Sequence, residues 1–241
     1  TANTTGTQNT AVGVTSLGSN TTADNNTADC HLALLYNTTG AENTAVGSTA
    51  GDAVTTGSAN TYLGTYAGSA ATTSSNNTAV GRSALLTNVT GTNNTAVGKD
   101  ALSTTTVSDN TGVGYLALAV TTTGASNTAI GSSALAANTT GEQNTAVGRT
   151  ALTASTTGSD NVAVGDRALL VNTTGERNVA IGRLTLAANT TATGNTAVGD
   201  TALKANTTGS SNVAIGYTAL DSSTTGSSNT AVGLSALTAN T

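Results

Sequence analysis

Apolar and polar residues alternate along this chain with a fixed step. The stretch Asn144-Thr145-Ala146-Val147-Gly148-Arg149-Thr150-Ala151-Leu152 returns, nearly unchanged, fourteen times. Its leading asparagines are Asn9, Asn26, Asn43, Asn60, Asn77, Asn94, Asn110, Asn127, Asn144, Asn161, Asn178, Asn195, Asn212 and Asn229. Each step is 17 residues, except the 16 from Asn94 to Asn110. A period this strict marks a stack of identical small units, none of which can bury its own apolar face alone.

With Asn as position 1, position 5 is Gly in thirteen of fourteen repeats and a second Gly recurs at position 15, as in Gly141, Gly158, Gly175 and Gly209. Two Gly-marked corners separated by short apolar stretches exclude a helical repeat, which needs longer uninterrupted segments. They predict an all-β fold: a parallel β-solenoid of about fourteen 17-residue coils, each with two short strands and two turns. No linker interrupts the pattern, so 1–241 reads as one array, with degenerate coils over 26–76 and regular ones over 77–241.

Position 4 is Val, Ile or Leu everywhere except Asp29, and position 2 is usually Thr but becomes Val at Val162, Val179 and Val213. Residues two apart on a strand share a face. The bulk at positions 2 and 4 therefore assigns them to the coil interior, closed by Leu at position 9 in twelve of fourteen coils. Position 3 then points outward. It is Ala in twelve coils, the exceptions being Tyr62 and Gly112. Ala is depleted on solvated strands, so an outward Ala column predicts a close-packed partner. The candidate oligomer interface is Ala11, Ala45, Ala79, Ala96, Ala129, Ala146, Ala163, Ala180, Ala197, Ala214 and Ala231.

Composition narrows the function classes. Aromatics are 2%, charged residues 8%, and Phe, Trp, Met and Pro are absent. The net charge of −5 without a basic cluster argues against nucleic-acid binding. No apolar run is long enough for membrane insertion. A Thr-, Asn- and Ser-rich surface suits an extracellular location. The single cysteine, Cys30, permits no internal disulfide. Cys30 and His31 form the only nucleophile–base neighbours, but adjacent strand residues face opposite ways and no third group orients them. The chain is thus read as neither an enzyme nor a cofactor or metal binder.

Four features remain as candidates. Asn3, Asn20, Asn37, Asn88, Asn138, Asn172, Asn189 and Asn206 fall at position 12 of Asn-x-Thr sequons, which are either glycan acceptors or good turn chemistry. The Thr pairs at positions 13 and 14 are a second set of candidate acceptors. Tyr36, Tyr62 and Tyr66 form the one aromatic cluster and the candidate contact patch. Arg149, Asp166, Arg183 and Asp200 occupy position 6 of consecutive coils and predict a surface ion ladder.

Asn-Thr-Ala-Val-Gly and Asn-Val-Ala-Ile-Gly, as at Asn178–Gly182 and Asn212–Gly216, resemble the head repeats of YadA-like trimeric autotransporter adhesins and the Asn-Thr-Ala-Val-Gly repeats of bacterial and phage tail-fibre-like proteins. The resemblance covers essentially the whole chain, although this coil is longer than the adhesin one. It implies a left-handed β-roll, a homotrimer, and a place on the surface of a cell or particle.

Two functions follow as expectations. The first is an extracellular structural fibre or filament subunit, whose partner is the chain itself, as a homotrimer or by head-to-tail stacking. Thr1-Ala2-Asn3-Thr4 returning as Thr238-Ala239-Asn240-Thr241 in the same coil phase favours stacking. The second is an adhesin or tail-fibre head that binds a surface glycan or matrix protein through its outward ladders.

Overall fold

The computed structural model describes residues 3–238. The end tetrapeptides compared above therefore lie partly outside the described residues, at positions 1–2 and 239–241. The chain forms two compact units, Thr1–Thr123 and Gly124–Thr241. Each is a parallel β-solenoid, and among the described residues there is no helix.

The first unit holds β1 (Thr10–Val12), β2 (Thr27–Asp29), β3 (Thr44–Val46), β4 (Thr61–Leu63), β5 (Thr78–Val80), β6 (Thr95–Val97) and β7 (Thr111–Val113). The second holds β8 (Thr128–Ile130), β9 (Thr145–Val147), β10 (Val162–Val164), β11 (Val179–Ile181), β12 (Thr196–Val198), β13 (Val213–Ile215) and β14 (Thr230–Val232). Within each unit successive strands pair in parallel and in register, so Ala163 sits between Ala146 and Ala180. The short coil keeps this register, pairing Thr95 with Thr111. Its missing residue comes out of the Thr-Thr turn, where Thr106 Oγ1 donates to Thr122 O as the first threonine of a pair does elsewhere.

Each coil contains one strand, of three residues, and not the expected two. The cause is backbone conformation. Positions 7 and 9 are left-handed in every coil, as at Thr150 (φ 52°) and Leu152 (φ 53°). Alternating left-handed residues cannot build a pleated strand. They turn the chain while sending successive N–H groups to opposite neighbours: Thr150 N donates to Ser132 O (2.9 Å) and Leu152 N to Ala168 O (2.9 Å). Left-handed φ costs a non-glycine residue roughly 1–2 kcal/mol. Burying the leucine returns about as much, roughly 1.5–3 kcal/mol.

Position 5 requires Gly for two reasons. Gly148 has φ 136°, and a Cβ there would lie 2.5 Å from Gly165 O in the next coil. Cys30 is the exception, at φ 104°.

The core is narrow. Positions 3, 8 and 9 fill it with Ala146, Ala151 and Leu152 in a typical coil, all 0% exposed. Asparagines complete it. Asn144 N–H and Nδ2 donate to Asn127 Oδ1 (3.0 and 3.1 Å), while Nδ2 also reaches Gly158 O (2.9 Å) across the coil. These buried amides satisfy backbone groups that would otherwise be orphaned inside a dry interior.

Candidate interaction face

Leu at position 9 lies inside, as the sequence predicts, but the strand is turned the other way. Positions 2 and 4 point out and position 3 points in. Ala45, Ala79, Ala96, Ala129, Ala146, Ala163, Ala180, Ala197 and Ala214 are 0% exposed within their own coils, and Ala231 is nearly so. They are therefore core residues and not an oligomer interface. Ala11, in β1, is exposed. The physical reason is space. A Cβ on Gly112 would meet Ala117 O and Leu102 Cγ at 3.1 Å each, so the interior opposite each leucine admits about one methyl group. Asp29 is accordingly no anomaly, since its carboxylate sits on the exposed side of β2.

What faces out is a flat strip with two columns. In the second unit one column is Thr128, Thr145, Val162, Val179, Thr196, Val213 and Thr230. The other is Ile130, Val147, Val164, Ile181, Val198, Ile215 and Val232. In-register pairing, such as Val164 with Ile181, repeats each column at the strand spacing of about 4.8 Å. Ile130, Ile181 and Ile215 remain 40–42% exposed. The first unit carries the same column through Val46, Leu63, Val80, Val97 and Val113. An outward position that is aliphatic in thirteen of fourteen coils makes an apolar strip, and it is the surface feature that the sequence reading missed. Asp29 was the signal that could have found it, because a lone carboxylate is tolerated outside far more readily than inside.

Position 6 borders the strip with polar and charged groups. The expected ion ladder resolves into pairs. Arg149 Nη2 meets Asp166 Oδ1 (2.9 Å) and Arg183 Nη2 meets Asp200 Oδ2 (3.2 Å). Arg167 Nε takes the other Asp166 oxygen (3.0 Å). That hydrogen bond, against the opposing cost of desolvation and with the charges of Arg149 and Arg167, holds the Asp166 carboxyl below its ordinary range. In the first unit the Lys99 ammonium binds Asp100 Oδ2 (2.7 Å) and lies 5.2 Å from the centre of the Tyr115 ring. The Asp100 hydrogen bond and charge raise the Lys99 pKa.

The tyrosines do not form one patch. Tyr36 and Tyr66 are exposed, but Tyr62 is 0% exposed in the core, in place of the usual Ala. Burial pushes its hydroxyl up to about 12, partly offset by Ser74 and Asn77.

The sequon asparagines are also interior. Asn20, Asn37, Asn88, Asn138, Asn172, Asn189 and Asn206 are 0–2% exposed. Asn138 Nδ2 donates to Gly141 O (2.9 Å), and Asn206 Nδ2 to Asn189 Oδ1 (3.1 Å) and Gly209 O (2.9 Å). An amide buried in this way is closed to glycan attachment in the folded chain. Asn3 alone is exposed, with Nδ2 on Gly6 O (2.9 Å).

Cys30 and His31 are both exposed. Among the described residues no group of three or more His, Cys, Asp or Glu side chains could hold a metal ion, and no helix is long and apolar enough to cross a membrane. No family model, curated protein or solved structure matches the chain.

Proposed function

We propose that the chain is a structural fibre or filament subunit of an extracellular appendage, assembled from copies of itself along the outward Thr/Val and Val/Ile strip. The observation that carries this reading is the aliphatic column at position 4. A solvated strand face has no use for it, and a second strip of the same kind fits it, being uncharged apart from Asp29 and of identical spacing. Seven strands at about 4.8 Å by two columns present only a few hundred Å² in one unit, less than the roughly 800 Å² per partner of a stable interface. Association therefore uses the strips of both units or of more than two chains. A homotrimer with left-handed coils, as in the adhesin heads that the repeats resemble, meets that need.

Stacking end to end is a second mode of growth in the same proposal. Its support is the in-register parallel pairing itself, as of Val164 with Ile181, which any further coil of the same kind would continue. The adhesin reading is the weaker one, because Tyr62 is lost to the core and the expected patch keeps only Tyr36 and Tyr66, with the exposed Tyr115 and Tyr217 far from them in the chain.

Sedimentation and electron microscopy of the purified chain test the proposal. Assemblies of several chains or filaments are expected, and Ile181→Asp with Ile215→Asp should release single folded chains. A wild-type protein that stays single at high concentration would remove the proposal.

A further inference from the structure

The Thr pairs differ in what their two hydroxyls do. The first threonine is structural: Thr38 Oγ1 donates to Thr55 O (3.0 Å) and Thr207 Oγ1 to Thr224 O (3.0 Å), tying each turn to the next coil. The second threonine is exposed in every complete coil, as at Thr39, Thr56, Thr157 and Thr208. Among the described residues, no hydrogen bond of its hydroxyl holds the turn.

It is nonetheless kept in every 17-residue coil; the 16-residue coil, where Val107 follows Thr106, is the one that lacks it. Other exposed positions drift freely. Position 6 runs through Val14, His31, Ser48, Thr65, Arg82 and Lys99. The second threonine does not drift, even though Ser, Asn or Asp would serve a turn equally well. Nor is it kept as the end of an Asn-x-Thr sequon. Where position 12 is Val54, Ala71 or Ser155, the threonine is still there as Thr56, Thr73 or Thr157. Folding explains the first threonine and leaves the second without a reason.

We propose that the second threonine of each pair is an O-glycosylation site, so that, within each unit, every 17-residue coil displays one sugar on the same edge. The residue following it is small and buried, usually Gly as at Gly40, Gly57, Gly158 and Gly209, so nothing crowds the hydroxyl. The β-branch restricts χ1 and holds the acceptor oxygen in a fixed direction. Acceptors on adjacent 17-residue coils lie about 4.8 Å apart, so attached sugars form a row along each unit, interrupted in the first unit at Val107. The donor is a nucleoside-diphosphate sugar. Threonine Oγ1 attacks its anomeric carbon, the bond from that carbon to phosphate breaks, and the nucleoside diphosphate leaves with the electron pair. The hydroxyl proton passes to a base of the glycosyltransferase. The row is separate from the aliphatic strip, since Gly158, Ser159, the exposed Asp160 and Asn161 stand between Thr157 and Val162.

Fragmentation mass spectrometry of the chain isolated from its natural source tests this. Sugar mass is expected on the second threonine of each pair, equally in coils with and without a position-12 asparagine. Recovery of those threonines unmodified, or sugar confined to asparagine, would overturn it. A second measurement separates modification from folding. In recombinant, unglycosylated protein Thr157→Ala should leave the melting temperature unchanged, whereas Thr156→Ala lowers it, because Thr156 Oγ1 donates to Thr173 O (3.3 Å). A drop of several degrees for Thr157→Ala would make its hydroxyl a structural group and sink the proposal.

Discussion

The ring of Tyr62 occupies the space that a side chain on Gly68 would need. A Cβ at Gly68 would overlap Tyr62 Cε1, and one at Gly51 would come within 2.6 Å of Tyr62 Cδ2. Both glycines stand where twelve of fourteen coils have leucine, and Tyr62 stands where twelve have alanine. One large inward side chain thus replaces two.

This exchange predicts strong coupling. Tyr62→Ala should cost about 3–5 kcal/mol by leaving a cavity, and Gly68→Leu in the wild type should cost at least ~1–3 kcal/mol by overpacking. The triple change Tyr62→Ala, Gly51→Leu, Gly68→Leu restores the regular coil and should recover most of that loss. A double-mutant cycle by denaturant unfolding reads the coupling. Additive effects would show that the three sites do not share one space.

Tyr62 also predicts a pH dependence. Its folded pKa, pushed up to about 12 by burial, exceeds the unfolded value near 10. The folded state therefore holds the phenolic proton more tightly. That contribution is fully present below pH ~10 and is lost as pH rises towards about 12, at roughly 2–3 kcal/mol in all. Unfolding free energies across that window should fall more steeply for the wild type than for Tyr62→Phe. Parallel curves would contradict the burial of this hydroxyl.

The asparagine ladder should be costly to break. Asn144→Ala removes the acceptor of Asn161 N–H (3.0 Å) and Nδ2 (3.2 Å), and the donor to Gly158 O. Each buried group left unpaired costs about 1–3 kcal/mol. Thermal unfolding should show a loss well above that of Gln143→Ala, whose side chain is exposed. Equal losses would mean that water replaces the ladder.

At Cys30 the direction reverses. Its φ of 104° suits only glycine, the residue of every other coil at that position. Cys30→Gly should stabilise the first unit by about 1 kcal/mol, the order of a relieved backbone strain. No gain, or a loss, would assign the side chain a packing role.

The period, the all-β class and the inward leucine were legible in the sequence, because they depend on spacing and on glycine. The facing of the strand was not. A period of two says which residues share a side, and bulk then suggested that Val and Thr were inside. The interior is too narrow for them, a fact set by Leu152 and Ala151 from the far wall and visible only once the coil closes. The single strand per coil was equally hidden, since Thr150 and Leu152 carry no sequence mark of left-handed φ. The sequons read as surface turns because the hydrogen bond from Asn138 to Gly141 is what draws that side chain inside.

Alanine faces the core, and we propose that its aliphatic neighbour faces another chain. Ala163→Asp and Val164→Asp, made separately and followed by circular dichroism and sedimentation, address both halves at once. Ala163→Asp should unfold the second unit, by burying an unpaired carboxylate, while Val164→Asp should stay folded, as β2 does with Asp29, and lose self-association. A folded Ala163→Asp alongside an unfolded Val164→Asp would contradict the account.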